Sequence, residues 1–256
     1  TLGSDTPPLA YEDIELSDMI MHFGHNARES HPIIFWRAAD HKRKTDIPTV
    51  VVDPRRTGTV MGYDDINEKN NVHIPILNGD ISFLNAIAHV LLKEHDDVID
   101  WDFVKTNADN WKEYVDGVLK DYSPEQVQDR MGGKNHEVSP MTIRRVAEMF
   151  ANATRKRLSR SKGSQKDGYG GVIIMWGIGY NQHIHGQHNV ISIINLLTLT
   201  GNLAKPGCGP FSMTGQPNAM GERFTGGLTG RLPFNQSLKN AANRKQVAKH
   251  WRLPEK

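Results

Sequence analysis

Three apolar runs, each closed by a turn-forming residue, constrain this chain more than any other feature. "DMIMHFG" (Asp18 to Gly24), "IPTVVVDP" (Ile47 to Pro54) and "GGVIIMWGIG" (Gly170 to Gly179) are continuous rather than alternating. Such runs suit strands covered on both faces, the environment of a parallel sheet. "VHIPIL" (Val72 to Leu77) reads as a shorter strand. Helical spacing fills the intervals. "HPIIFWRAADHKRK" (His31 to Lys44) reads as a helix whose apolar face carries Ile33, Ile34, Trp36, Arg37 and Ala38. Asp80 reads as the N-cap of "ISFLNAIAHVLLKE". Residues 96–167 read as mostly helical, with Ser139-Pro140 opening one helix, and "HNVISIINLLTLTGN" and "NAANRKQVAKHW" follow as two more. Strands alternating with helices predict an α/β fold, a three-layer αβα domain around a mainly parallel, Rossmann-like sheet. Residues 1–256 read as one such domain, with a Gly-rich loop at 206–230 and a short helical tail. A chain opening on Thr and closing on "WRLPEK" reads as part of a longer one.

Charge and cysteine usage narrow the function. Lysine plus arginine number 31 against 29 acidic residues, too small an excess to attract nucleic acid in general. The basic run "RKRLSRSKGSQK" (Arg155 to Lys166) reads as a solvated loop. A single cysteine, Cys208, excludes a disulfide within the chain and any cysteine-only zinc site or cluster. Between glycines in "PGCGP" it reads as a small thiol packed in a turn. The first residues have no basic and apolar segments of a signal peptide, and the longest apolar stretch, "VISIINLLTL", is too short to span a membrane.

Ligands of open parallel sheets bind beyond the carboxyl ends of the strands, so four segments are candidates. In "FGHNARES", Gly24 permits a tight turn and the backbone N–H groups ahead of the next helix suit a pyrophosphate. A plain strand-to-helix turn would use Gly24 and Asn26 equally well. In "VVDPRRT", Asp53 can accept from a ribose or base edge while Arg55 and Arg56 neutralise phosphate, or the segment is a capped turn with solvated arginines. In "LNGD", Asp80 caps its own helix or takes the N–H groups of a guanine. In "WGIGYNQHIHGQH", glycines let the backbone approach a ligand, and Asn181 and Gln182 offer uncharged donors and acceptors. His183, His185 and His188 match no zinc spacing, and neither do His22, His25 and His31, so no metal ligand is assigned. GxGxxG, GxSxG and P-loop patterns do not occur. "TGQPNAMGERFTGG" (Thr214 to Gly227) has no helical or strand period and reads as a surface loop.

Taken in order, "FGHNARESHPIIFWR", "VVVDPRRT", "LNGD", "WGIGYNQ", "INLLTLTGNLAKPGCGPFSMTGQPNAMG" and "HWRLP" resemble the molybdopterin-guanine-dinucleotide (bis-MGD) oxidoreductases, and among them the nitrate reductases of assimilatory type. The resemblance implies that Phe23, Gly24, His25, Asn26, Glu29 and Ser30 line cofactor phosphates. It implies that Asp53, Pro54, Arg55, Arg56 and Thr57 meet one nucleotide end, and Asn78, Gly79 and Asp80 its guanosine. Ile178, Gly179 and Gln182 would face the pterin, with Ile178 standing where many relatives carry methionine. Gln216 and Asn218 would position nitrate, and Arg223 would offer it a planar guanidinium, although "GERF" replaces the "GGRE" of relatives. The implied parent enzyme reduces nitrate to nitrite by oxygen-atom transfer at a molybdenum bis-MGD centre fed by a 4Fe-4S cluster. The cluster cysteines and the metal-ligating cysteine are not in this chain, so the chain alone is expected to be inactive. Ferredoxin, flavodoxin or an NADH-linked subunit is the implied electron donor, in the cytoplasm or in the periplasm. A formate dehydrogenase or other oxyanion reductase of the superfamily, and a non-catalytic nucleotide-binding module, are the alternatives.

Overall fold

In a computed structural model of the protein, residues 7–77, 79–131, 138–161, 169–216, 218–227 and 230–254 are described, without the side chains of Met220, Arg223 and Asn235. Five short strands carry the architecture: β1 (Met19–Phe23), β2 (Thr49–Val52), β3 (Asn71–Ile74), β4 (Val172–Trp176) and β5 (Gly209–Ser212). They pair in the order β3-β2-β1-β4-β5, every pair parallel. All residues of β1, β2 and β4 are buried, which is why their sequences run apolar without alternation.

Helices cover both faces. One face receives α1 (Ala27–Ser30), α2 (Pro32–Thr45) and α3 (Gly58–Asn67), which pack Ala27, Phe35, Ala38, Val60 and Tyr63 against Ile20, Val51, Ile173 and Met175. The other receives α4 (Asp80–Glu94), α5 (Trp101–Asn107), α6 (Trp111–Asp121), α7 (Pro124–Arg130) and α8 (Pro140–Ser161). The short α9 (Ile178–Asn181) and then α10 (Gly186–Leu199) follow β4, and α10 completes that larger core through Ile193, Leu196 and Leu197. The expected three-layer α/β fold is therefore what forms. Ser139 opens α8 as expected, its Oγ accepting from the Thr142 N–H at 3.1 Å.

Several local expectations change. The buried face of α2 is Phe35, Ala38, Ala39 and Lys42, whereas Ile33 is 79% exposed and Trp36 lies outward beneath the guanidinium groups of Arg28 and Arg43. Asp80 is the first helical residue of α4 and Gly79 is its N-cap. The edge strand β5 carries Pro210, tolerable because an edge strand leaves one side unpaired. The basic run beginning at Arg155 does not leave the fold: α8 continues through it to Ser161, and residues 162–168 lie outside the described residues. Its arginines each have a partner. Arg155 grips Asp97 at 2.6 and 2.7 Å, and Arg160 forms a fork on Asp18 at 2.7 and 2.8 Å. Arg157 is buried, donating to Asn202 Oδ1 at 3.1 Å and to the Thr200 carbonyl at 2.8 Å.

The chain divides into two compact units, Thr1–Met213 and Thr214–Lys256. Within the second, Ala219–Thr225 winds into a helix, α11, in place of the expected loop, and Phe224 packs edge-on against Phe234 with ring centroids 5.2 Å apart. That aromatic pair supplies the packing a seven-residue helix needs, since so short a helix does not persist alone. A two-stranded hairpin, β6 (Arg231–Leu232) with β7 (Gln236–Ser237), and the helix α12 (Ala241–His250) complete this unit.

Arg157→Met keeps most of the side-chain volume but strands the Asn202 and Thr200 acceptors in the core. The expected loss is about 1–3 kcal/mol, read as a lower urea midpoint with an unchanged slope; an unmoved midpoint would show the buried guanidinium to be dispensable.

Candidate functional site

Parallel pairing in register brings Phe23, Val52 and Ile74, and likewise Phe23, Trp176 and Ser212, to one edge of the sheet. The segments that leave this edge are the ones singled out by sequence: Gly24–Ser30, Asp53–Thr57, Gly79–Asp80 and Gly177–Gln182. The chain turns away in opposite directions on the two sides of the β1–β4 pair, so the crevice at the switch point lies between the ends of those strands.

Glycine makes the crevice possible. Gly24 has φ of +50°, and a Cβ there would lie 2.4 Å from the Gly179 carbonyl carbon and 2.5 Å from the Tyr180 nitrogen. Conversely, a Cβ on Gly179 would lie 2.8 Å from the Gly24 oxygen. Two backbones are in contact where β1 and β4 end, and the Gly177 N–H donates across to the Phe23 carbonyl at 3.2 Å.

The loop after β1 is fastened to α3. Asn26 Oδ1 accepts from the Thr59 hydroxyl at 3.1 Å and its N–H at 3.3 Å, and the Arg28 N–H donates to Thr59 Oγ1 at 3.0 Å. Asn26 thus acts in the turn itself, while Glu29 and Ser30 are exposed. After β2, the buried Asp53 accepts the Arg55 N–H at 2.9 Å, closing an Asx-type turn. Arg56 is committed to Asp64 further along α3, whereas Pro54 and Arg55 are exposed. Burial raises the Asp80 carboxyl above the usual range; its own N–H and His183 oppose that, and Asp53 adds to it. Asp53, Asp80 and His183 therefore share one electrostatic environment although they follow three different strands. Ile178, Gly179 and Gln182 are exposed beside them. Asn78 and the Arg223 side chain lie outside the described residues, and Gln216 is exposed in the second unit.

Two donors along this edge have no partner among the described residues: the Thr57 hydroxyl and the Trp176 indole N–H, both buried. Unpaired donors, two buried or half-buried carboxylates, and close backbone approach suit a polar heterocycle bearing both N–H and carbonyl edges with a phosphate tail. In these respects the residues fit a guanylated pterin. Cys208 is no candidate for chemistry here: it is buried, donates to the Lys205 carbonyl, and burial pushes its thiol up to about 11.

Sequence reasoning missed a polar string beside the crevice. His22 Nε2 lies 3.0 Å from the Tyr63 hydroxyl, His22 Nδ1 lies 3.1 Å from His25 Nδ1, and His25 Nε2 lies 3.0 Å from His31 Nδ1. Tyr63 comes from α3, 41 residues away from His22, so no local spacing could reveal it. Burial lowers His22 to about 3, and burial followed by the neighbouring His22 and His31 lowers His25 to about 2.

Comparison with known proteins places the chain among relatives of one family. Residues 5–253 match the family described as Molybdopterin oxidoreductase. The chain is 36% identical over 255 residues to a nitrate reductase of Synechocystis sp., covering 99% of this chain and 31% of that one. It is 32% identical over 252 residues to formate dehydrogenase H of Escherichia coli, covering 98% and 31%. A nitrate reductase of Symbiobacterium thermophilum is 32% identical over 262 residues, again covering 98% and 31%. The chain thus spans under a third of the length of these curated relatives. Among solved structures, acetylene hydratase from Pelobacter acetylenicus shares the fold, with a TM-score of 0.55, 16% identity, and coverage of 77% of this chain and 25% of that one. No helix among the described residues is long and apolar enough to cross a membrane.

Gly24→Ala puts a methyl into the Gly179 backbone and forces an L-residue into a left-handed conformation, at an expected cost of about 2–5 kcal/mol in thermal or urea unfolding. The buried imidazoles set an acid limit. Their folded-state values lie below the ordinary one, so the unfolded chain binds protons that the folded chain refuses. Their contribution is complete above about pH 6.5 and falls by up to about 1.4 kcal/mol per pH unit per imidazole as the pH drops towards the folded values. Urea midpoints between pH 8 and pH 5 should show this slope, and His22→Leu should remove about half of it; an identical slope in the variant contradicts the assignment.

Proposed function

The chain belongs to the molybdopterin oxidoreductase family, and on that premise we propose that it is a cofactor-binding portion of a molybdenum nitrate reductase. The observation that supports this most is the single sheet edge bearing Gly24, Asp53, Asp80 and Gln182, together with 36% identity to a nitrate reductase across 99% of the chain. Phe23, Gly24, His25, Asn26, Glu29 and Ser30 would receive the pyrophosphate of a guanylated pterin through backbone N–H groups and hydroxyl. Asp53 and Asp80 would accept from ribose and guanine, with Asn78, Gly79 and the Pro54–Thr57 turn alongside. Ile178, Gly179 and Gln182 would flank the pterin.

Gln216 and Asn218 would orient nitrate, and Arg223 would pair with its planar oxygens. The bound molybdenum–pterin supplies the two-electron, oxygen-atom-transfer chemistry that turns nitrate into nitrite. This chain contributes binding, orientation and exclusion of water. The 4Fe-4S cluster, the metal-ligating cysteine and the contact with a ferredoxin, flavodoxin or NADH-linked donor would belong to other parts of the parent protein, which we place in the cytoplasm.

A formate dehydrogenase is the second reading, favoured by the 32% identity to formate dehydrogenase H over 98% of the chain. Both readings are separated by one preparation. The full-length parent, purified with its cofactor, should reduce nitrate with a reduced viologen and should not reduce an oxidised viologen with formate. The opposite pattern assigns formate. Arg223→Ala should lower kcat/KM for nitrate by about 10–100-fold at constant molybdenum content, the loss of one charge-assisted pair. Asp80→Asn should lower the guanine nucleotide released on denaturation, and recovery of a nicotinamide dinucleotide instead would sink the cofactor assignment.

A further inference from the structure

We propose that the N-terminus of α3 is a seat for a phosphate group, formed by the Thr57 hydroxyl, the N–H groups of Gly58 and Val60, and the Arg28 guanidinium. The seat stands on the hydrogen bonds of this chain; only its occupation by a phosphate of the cofactor rests on the reading above.

The 10-residue helix α3 begins in the interior: Thr57, Gly58, Thr59 and Val60 are all buried, Thr57 being 6% exposed. The first N–H groups of a helix have no partner within it and must find one elsewhere. Thr57 is the N-cap, where a hydroxyl ordinarily accepts from the second or third N–H of the helix. It makes no such bond, and its hydroxyl has no partner among the described residues. Asn26 Oδ1 takes the second N–H instead, that of Thr59, at 3.3 Å. The Gly58 and Val60 N–H groups on either side have no acceptor among the described residues. Three buried donors are thus open within one turn, and an oxyanion is the acceptor that can meet them together.

The charges around this turn point the same way. α3 has no acidic residue in its first turn, so its own side chains leave the positive end of the helix dipole uncompensated. A cation is disfavoured at such an end, yet Arg28 sets Nη1 3.5 Å from the Gly58 carbonyl and Cδ 3.4 Å from where a Gly58 Cβ would stand. Arg56 is paired with Asp64, whereas Arg28 lies over the Trp36 ring and has no carboxylate partner among the described residues. An anion between guanidinium and helix end resolves that opposition. Two carboxylates are near. Asp53 is engaged by the Arg55 N–H, and Glu29 Oε1 lies 3.1 Å from the same Gly58 Cβ position without a hydrogen bond among the described residues. Glu29 therefore opposes an anion here and lowers the affinity of the seat.

The test titrates inorganic phosphate by calorimetry into the full-length parent, prepared with its cofactor and, from a host unable to make pterin, without it. The cofactor-free protein should bind phosphate, and Thr57→Val and Arg28→Gln should each weaken binding about 10-fold. Glu29→Gln should tighten it. Without phosphate, Thr57→Val should melt no lower than wild type, because it deletes a hydroxyl that has no partner. A lower melting temperature assigns that hydroxyl to the fold and overturns its place in the seat. No phosphate binding by the cofactor-free wild type, or equal affinity in Thr57→Val and Arg28→Gln, overturns the proposal. Exclusion of phosphate from the loaded protein alone supports the seat with a cofactor phosphate as its resident; equal binding to both preparations supports it with free phosphate. A parent purified without guanine nucleotide that still binds phosphate in this Thr57-dependent way overturns the cofactor reading and leaves the seat standing.

Discussion

Gly24 and Gly179 touch, and the rest of the candidate site depends on that contact. Two strand ends brought this close leave no room for side chains between them, so the groups that could meet a ligand are displaced to the flanks. Asp53 and Asp80 come from one side, and Ile178 to Gln182 from the other. Rigidity comes from behind: Asn26 and Thr59 tie the turn to α3, and the imidazole string reaches down to Tyr63. The crevice is thus backed by polar links on the side of the sheet that α3 covers.

Strands β1, β2 and β4 were readable because burial on both faces leaves a continuous apolar run, a signal that survives in "IPTVVVDP" and "GGVIIMWGIG" without neighbours to interpret it, whereas β5, short and holding Gly209 and Pro210, was read as part of the loop at 206–230. Helix α3 was hidden by its own packing. Gly58 and Gly62 look like breakers, yet a Cβ on Gly62 would lie 2.6 Å from Phe35, so the small residue is what lets α2 and α3 approach. The arginines of "RKRLSR" were misread for a related reason. Composition reports charge, but not that Asp18, Asp97 and Asn202 wait at the right distances from elsewhere in the chain. The strand-end residues were legible from topology alone, since a parallel sheet collects its carboxyl ends. The contact of three histidines and a tyrosine in one string was not, because it arises only after folding.

The proposed crevice supplies acceptors, donors and close backbone, the equipment of recognition. Such a surface can hold a large heterocyclic cofactor firmly while remaining chemically quiet, which is useful when the reacting atom is the cofactor's own.

Cys208 has a practical consequence. Its sulfur is enclosed, hydrogen-bonded, and a poor thiolate at neutral pH. A maleimide or a spin-label reagent should pass it by under native conditions. Within this chain, a new cysteine at exposed Ile184 or Gln182 would then be the sole labelled position, and a fluorophore there could report on the crevice without first replacing the native residue.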